Sequence, residues 1–130
     1  MVTAGRVCHD PAAMPSTILL VDDHAAFRER ARVLLEAEGF AVVGEAADGR
    51  TALLEAARLH PDIALVDVGL PGLDGFAVAA GLRAAGSAPL IVLISGRDRA
   101  DFGDRVDAAA VDGFIAKADL SGDLLTRLMG

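Results

Sequence analysis

Four apolar segments of this sequence each lead directly to side chains that could take part in chemistry. Asp22 and Asp23 follow TILLV, Asp67 follows IALV, Ser95 follows LIVLI and Lys117 follows GFIA. Short apolar runs of this kind are typical of strands buried on both faces of a parallel sheet. In open α/β sheets, ligands bind at the edge where the carboxyl ends of the strands meet. We therefore expect all five side chains to gather at that edge.

Three neighbouring carboxylates repel one another unless a cation lies among them or one of them is protonated. Carboxylate ligands with open positions favour a hard ion such as Mg²⁺, which keeps waters and accepts phosphoryl oxygens. The ammonium of Lys117 and the hydroxyl of Ser95 could hold further oxygens of a transferring phosphoryl group. The set predicts a phosphoryl-transfer site in which Asp67 is the nucleophile and forms an acyl phosphate.

Each of these residues also has a plain structural interpretation. Asp22 and Asp23 could cap the following helix, and Asp67 could cap a turn. Ser95 could belong to a turn, and Lys117 could be a surface lysine or a countercharge to one acid. Their common position at one edge of the sheet favours the chemical interpretation.

Apolar periodicity predicts strands that alternate with helices. The predicted strands are 17–21, 40–46, 63–67, 90–94 and 113–116, and the predicted helices are about 24–38, 49–60, 74–85, 99–110 and the C-terminal residues from about 120. Five strand–helix repeats indicate an α/β domain with a doubly wound parallel sheet. The mixed polarity of strand 40–46 indicates a position near an edge, and helix 99–110 has few large apolar residues to anchor it.

Residues 1–16 contain two prolines and show no helical or strand period, so we predict a flexible leader before a single domain of residues 17–130. The chain has 130 residues, is 53% hydrophobic and carries a net charge of -7. This acidic balance opposes binding to nucleic acid. No apolar run is long enough to span a membrane, and the single cysteine is compatible with a reducing compartment. We expect a cytoplasmic protein without nucleic-acid or membrane contacts of its own.

The chain from Thr17 onward resembles the receiver domain of bacterial two-component response regulators. The matching segments are LLVDDH, LVDVGLPGLDG, LIS and DGFIAK. The resemblance implies a flavodoxin-like fold with strand order 2-1-3-4-5. It also implies that Asp67 accepts a phosphoryl group from a phosphohistidine of a sensor histidine kinase or histidine phosphotransfer protein, and that Lys117 contacts this group. The ligands implied for Mg²⁺ are Asp22, Asp23, Asp67 and the backbone carbonyl of Gly69.

The same resemblance implies a switch. Ser95 and Phe114 would form the switch pair, and phosphorylation would alter the face formed by the fourth helix, fifth strand and fifth helix for an output partner or a homodimer. The segment DGFIAKADL looks most like receivers that usually carry a helix-turn-helix DNA-binding domain. The chain would then be a stand-alone receiver or a fragment of such a regulator. Gly69 offers no side chain to shield the phosphorylated acid from water.

Three other functions compete with this interpretation. A Mg²⁺-dependent aspartyl phosphatase of the haloacid dehalogenase type would need a second acid two residues after the nucleophile, where Gly69 stands. A flavin or dinucleotide binder would need a phosphate-binding loop after the first strand, where Asp22 and Asp23 would repel phosphate. A degenerate receiver acting as a constitutive interaction module would not need the complete set of acids, hydroxyl and lysine. We therefore expect a phospho-acceptor signalling domain rather than an enzyme with an external substrate.

Overall fold

The computed structural model of the chain describes residues 15–86 and 89–129. Most of the predicted flexible leader lies outside these residues. The strands are β1 Thr17–Val21, β2 Ala41–Ala46, β3 Ile63–Asp67, β4 Leu90–Ser95 and β5 Gly113–Ala116. They form one parallel sheet in the order β2-β1-β3-β4-β5, which confirms the predicted flavodoxin-like topology.

Helices cover both faces of the sheet. They are α1 Ala25–Ala37, α2 Gly49–Leu59, α3 Gly75–Ala84, α4 Arg105–Ala108 and α5 Gly122–Met129, with 3₁₀ turns at Arg99–Phe102 and Lys117–Asp119. Phe27 and Leu35 of α1 share one buried cluster with Leu125 of α5, whereas Val78 and Leu82 of α3 belong to the cluster on the opposite face. This two-sided covering explains why the central strands are continuously apolar.

The central strand β3 and its neighbour β1 are buried over almost their whole length. Residues 63–66 of β3 have no exposed surface, and the side chains of β1 alternate between the two clusters, with Ile18 in one and Leu19 in the other. β2 lies at the edge, as its mixed polarity predicted. Its register against β1 shifts between Ile18 and Leu19, where Val43 is the additional and exposed residue. The rigid centre of the sheet therefore places the carboxyl ends of β1 and β3 side by side.

Close packing begins immediately after β3. A Cβ atom at Gly75 would lie 2.5 Å from the backbone oxygen of Asp67 and 2.8 Å from Cα of Val68. The N–H of Gly75 donates to the carbonyl oxygen of Val68 at 3.0 Å. Asp74 caps α3 by accepting a hydrogen bond from the N–H of Ala77 at 2.9 Å. The start of α3 therefore fixes the loop that follows Asp67.

The predicted fourth helix over 99–110 is wrong in its extent. A 3₁₀ turn covers Arg99–Phe102, and Gly103 at φ +57° separates it from α4, which has only four residues. A positive φ interrupts the right-handed helical path and suits glycine. The pattern of charged residues and alanines in this segment resembled a helix but lacked the apolar contacts needed to hold one.

Phe102 holds this segment on the sheet instead. Its ring centroid lies 6.0 Å from that of Phe76 on α3 and 5.8 Å from that of Phe114 on β5. Val106 is the buried residue of α4. Two apolar anchors thus hold the connection between β4 and β5.

Among the described residues, no helix has the length and apolar character that crossing a bilayer requires.

Candidate functional site

The carboxyl ends of β1, β3 and β5 bring three acids and one ammonium together. Asp22 and Asp67 are 1% and 5% exposed, whereas the side chain of Asp23 is 35% exposed. Lys117 Nζ lies 2.5 Å from Asp22 Oδ2 and 3.8 Å from Asp67 Oδ1. Asp22, Asp23, His24 and Asp67 each offer one ligand atom, and these atoms all lie within 4.8 Å of one another.

Local hydrogen bonds show what the first two acids do. Asp22 Oδ1 accepts a hydrogen bond from the N–H of His24 at 2.8 Å and lies 3.0 Å from His24 Nδ1. His24 is the N-cap residue of α1, and α1 has no side-chain cap. Asp22 and Asp23 therefore do not cap this helix, and that structural interpretation is wrong.

The side chain of Lys117 is held inside the site. It is 19% exposed, and its Nζ lies 4.5 Å from the centroid of the Phe27 ring in addition to its two acidic neighbours. The interpretation of Lys117 as a surface lysine is therefore wrong. Its contact with two buried carboxylates makes it their countercharge.

Ser95 and Phe114 lie on the neighbouring strands. Ser95 ends β4, is 5% exposed, and its Oγ accepts a hydrogen bond from the N–H of Arg97 at 3.0 Å. β4 pairs with β3, so that Ile94 is opposite Asp67, and with β5, so that Leu93 is opposite Phe114. Phe114 is half-buried against Phe102.

Burial of Asp67, and after it the charge of a neighbouring acid, governs the electrostatics of the site. Burial raises the pKa of the Asp67 carboxyl above its usual value, and the charge of Asp22 raises it further. Lys117 and the backbone of Gly69 act in the opposite direction. One ammonium does not balance three carboxylates, so the ionised cluster has an excess of negative charge.

The donor set fits a hard divalent cation. Asp22 Oδ2 is buried and, within the described part of the chain, has the ionic contact with Lys117 but no regular hydrogen bond. Such an oxygen is available as a ligand, and carboxylate oxygens at these separations suit an ion that prefers oxygen. Gly69 is exposed beside the cluster, and a Cβ there would meet only Asp67 Oδ2, at 4.0 Å. The approach to Asp67 is therefore open on this side.

Two residues at the site were missed by the sequence analysis. His24 lies against both acids of β1, with its Nδ1 3.2 Å from Asp23 Oδ1, and its position next to this pair was the available signal. Arg28 donates from Nη1 to the backbone oxygen of Asp22 at 2.5 Å. The spacing of residues along the sequence does not reveal a hydrogen bond from a side chain to a backbone carbonyl.

An open groove lies beside the cluster, between α1 and the segment after β5. Its volume is about 710 Å³, and its lining includes Phe27, Arg30, Leu34, Ala118 and Leu120. Its floor is largely apolar, while His24 and Lys117 connect it to the acids.

Comparison with known proteins gives consistent matches. The family model described as "Response regulator receiver domain" matches residues 18–129. A transcriptional regulator from Pseudomonas aeruginosa is 37% identical over 110 residues, which cover 85% of this chain and 53% of the relative. The chain thus spans about half the length of that relative.

Two solved structures extend the comparison. The receiver domain of the response regulator NarL from Mycobacterium tuberculosis is 32% identical with a TM-score of 0.80, and the match covers 91% of this chain and 99% of that one. A LuxR-family two-component response regulator from Aurantimonas sp. SI85-9A1 is 31% identical with a TM-score of 0.80, and the match covers 90% and 87% of the two chains.

Replacing Asp67 with Asn is expected to raise the free energy of unfolding at neutral pH, in EDTA, by roughly 0.5–2 kcal/mol. The folded protein holds the Asp67 proton to higher pH than the unfolded chain does. The wild type therefore loses stability as pH rises from the ordinary carboxyl pKa of about 4 through the raised folded value. The amide in Asp67→Asn does not ionise, so the variant loses no stability in this way. Its stability advantage over the wild type therefore shrinks at low pH, where the wild-type carboxyl is protonated.

Urea unfolding at several pH values measures this difference. Asp62→Asn is the matched control, because Asp62 accepts hydrogen bonds from the N–H and hydroxyl of Thr17 and its replacement should destabilise the fold. A stabilisation by Asp67→Asn that does not depend on pH would contradict the electrostatic explanation.

Proposed function

The chain belongs to the response regulator receiver domain family, and from this premise we propose that it accepts a phosphoryl group on Asp67 in a Mg²⁺-dependent reaction. The donor is the phosphohistidine of a sensor histidine kinase or a histidine phosphotransfer protein. The observation that carries the proposal is the burial of Asp67 beside two further acids, with Lys117 Nζ 3.8 Å from its Oδ1. The groove beside this cluster is the surface that such a donor would occupy.

In the proposed transfer, a carboxylate oxygen of Asp67 forms a bond to phosphorus while the P–N bond of the phosphohistidine breaks. The departing imidazole keeps the bonding electron pair. Lys117 approaches an oxygen of the phosphoryl group and offsets its charge. Asp22, Asp23, Asp67 and the backbone carbonyl of Gly69 would hold Mg²⁺, which when bound would neutralise charge on the phosphoryl oxygens.

A switch that links the site to a distant surface completes the proposal. Ser95 turns its hydroxyl towards the phosphoryl group, and Phe114 moves into the space beside it. The face affected is formed by α4, β5 and α5. The proposal is supported by the small number of apolar anchors in the segment before β5, where Phe102 packs on Phe114. Such a segment needs little free energy to rearrange.

The partner for this face is an output protein or a second copy of the chain. A groove of about 340 Å³ on it is lined in part by Phe114, Leu124 and Leu128. Because the chain spans about half of its regulator relative, we propose either a stand-alone receiver or the receiver part of a DNA-binding regulator. In either case the receiver itself makes no nucleic-acid contact.

Incubation with acetyl phosphate and Mg²⁺ is expected to add one phosphoryl group, detected by intact mass. EDTA and Asp67→Asn should each abolish the adduct, and Lys117→Gln should greatly reduce it. Asp62→Asn is the matched control, because Asp62 precedes β3 at the opposite end of the strand. An adduct that survives in Asp67→Asn would contradict the assignment of the acceptor. No adduct in the folded wild type would favour a degenerate receiver.

Beryllofluoride, which mimics the acyl phosphate, is expected to change the self-association of the chain if the switch serves a homodimer, or its affinity for the output protein otherwise. Analytical ultracentrifugation and partner titration measure the two cases. The same measurements on Asp67→Asn provide the background. If beryllofluoride binds but changes neither quantity, the proposed switch is wrong.

Gly69→Arg is expected to lengthen the half-life of the phosphorylated protein several-fold. The space above Gly69 is open towards Asp67 Oδ2, so a long side chain there would hinder the approach of water. Gly69→Ala is the control, because one methyl group shields little. Loss of the mass adduct over time measures the rate, and equal half-lives for wild type and Gly69→Arg would refute the shielding argument.

A further inference from the structure

The turn between β1 and α1 carries two of the clustered carboxylates without the support of a helix cap. His24, the N-cap residue, accepts no side-chain hydrogen bond from the first turn of α1. Asp23 lies 3.2 Å from the His24 ring, whose side chain is 67% exposed. The His24 N–H and Lys117 contact the Asp22 carboxylate directly, and the backbone of this turn sets the positions from which both acids project.

Arg28, one turn into α1, holds this backbone. Its Nη1 donates to the carbonyl oxygen of Asp22 at 2.5 Å, and its Nε donates to Glu45 Oε1 at 2.8 Å. The side chain of Arg28 is only 18% exposed. Charge-assisted hydrogen bonds are strong when they are shielded from water in this way.

Glu45 is itself fixed on β2 by a second arginine. Arg32 donates to Glu45 Oε2 from Nε at 2.9 Å and from Nη2 at 2.7 Å, and its Nη1 donates to the carbonyl oxygen of Val42 at 3.1 Å. Hydrogen bonds, from Arg32 first and then Arg28, hold the pKa of the Glu45 carboxyl below its usual value. Glu45 therefore remains charged and anchors Arg28.

Both backbone groups of Asp22, the N–H and the carbonyl, are thereby connected to β2. Its N–H donates to the carbonyl oxygen of Ala46 at 3.0 Å, and its own carbonyl is linked through Arg28 to the adjacent Glu45. We propose that Arg28 is a positioning residue that orients the carboxylates of Asp22 and Asp23 for binding a divalent cation. This inference rests on the proposed function, since it takes the acidic cluster as a cation site.

Removing the charge of Arg28 and removing its hydrogen bond to Asp22 should change cation affinity in opposite directions. The positioning role of Arg28 can therefore be tested. Loss of a guanidinium near the cluster would strengthen cation binding on Coulombic grounds. Loss of a bond that orients metal ligands weakens binding, commonly by about 10- to 100-fold. Lysine at position 28 would keep the charge, but one ammonium on a flexible stem cannot reproduce the two directed contacts of a planar guanidinium.

Calorimetric titration with Mg²⁺ of the wild type, Arg28→Lys, Arg28→Gln and Arg32→Lys tests the proposal. We expect both Arg28 variants to bind Mg²⁺ roughly tenfold more weakly. Arg32→Lys should weaken binding much less than the Arg28 variants do, because Arg32 acts only through Glu45 and does not contact Asp22.

Several outcomes would overturn the inference. Unchanged or tighter Mg²⁺ binding by the Arg28 variants would show that Arg28 acts through charge or not at all. An equal loss in Arg32→Lys would assign the effect to the whole network. If only the Arg28 variants lose their folded circular dichroism spectrum, Arg28 stabilises the fold and does not specifically orient the metal ligands. Failure of the wild type to bind Mg²⁺ would instead contradict the proposed function.

Discussion

Repulsion among three carboxylates at one edge of the sheet is the constraint on which this molecule depends. Burial makes the ionised form of Asp67 costly, and Asp22 adds to that cost. Lys117 offsets part of it through its contacts with both acids. What remains is an excess of negative charge in the ionised cluster, which a bound cation would reduce. The site is thus unstable by itself in the manner expected where function and stability conflict.

The sheet keeps such a cluster from relaxing. In the order β2-β1-β3-β4-β5, the connections reverse their direction between β1 and β3, and the three acids come from the ends of these two strands. Both strands are enclosed by helices on each face, so their ends cannot move apart without disturbing the core. Gly75 lets α3 begin against the end of β3, and the Arg28–Glu45 pair fixes the turn after β1. Rigid elements therefore hold the acids closer together than their charges favour.

The sequence was most informative where a pattern is local or repeated along the chain. Apolar runs located all five strands, the polarity of β2 indicated its edge position, and the helix predicted over about 74–85 agrees with α3 to within one residue at each end. The fourth helix was overestimated because alanines and charges satisfy helical propensity, whereas Gly103 and the packing of Phe102 decide the actual path. The switch roles proposed for Ser95 and Phe114 rest on resemblance alone. The contact of Arg28 with Glu45 could not be predicted, because it joins two segments that only folding brings together.

Arg32 has an effect beyond its part in the network around Glu45. The outermost strand of a sheet exposes backbone groups that another molecule can pair with, which is a common route to aggregation. In β2 the carbonyl oxygen of Val42 is already bonded to Arg32, and the extra residue Val43 breaks the regular spacing of the strand. A neighbouring chain therefore finds fewer free backbone groups along β2, and their spacing is irregular. Edge-to-edge pairing of two copies through β2 is thus disfavoured.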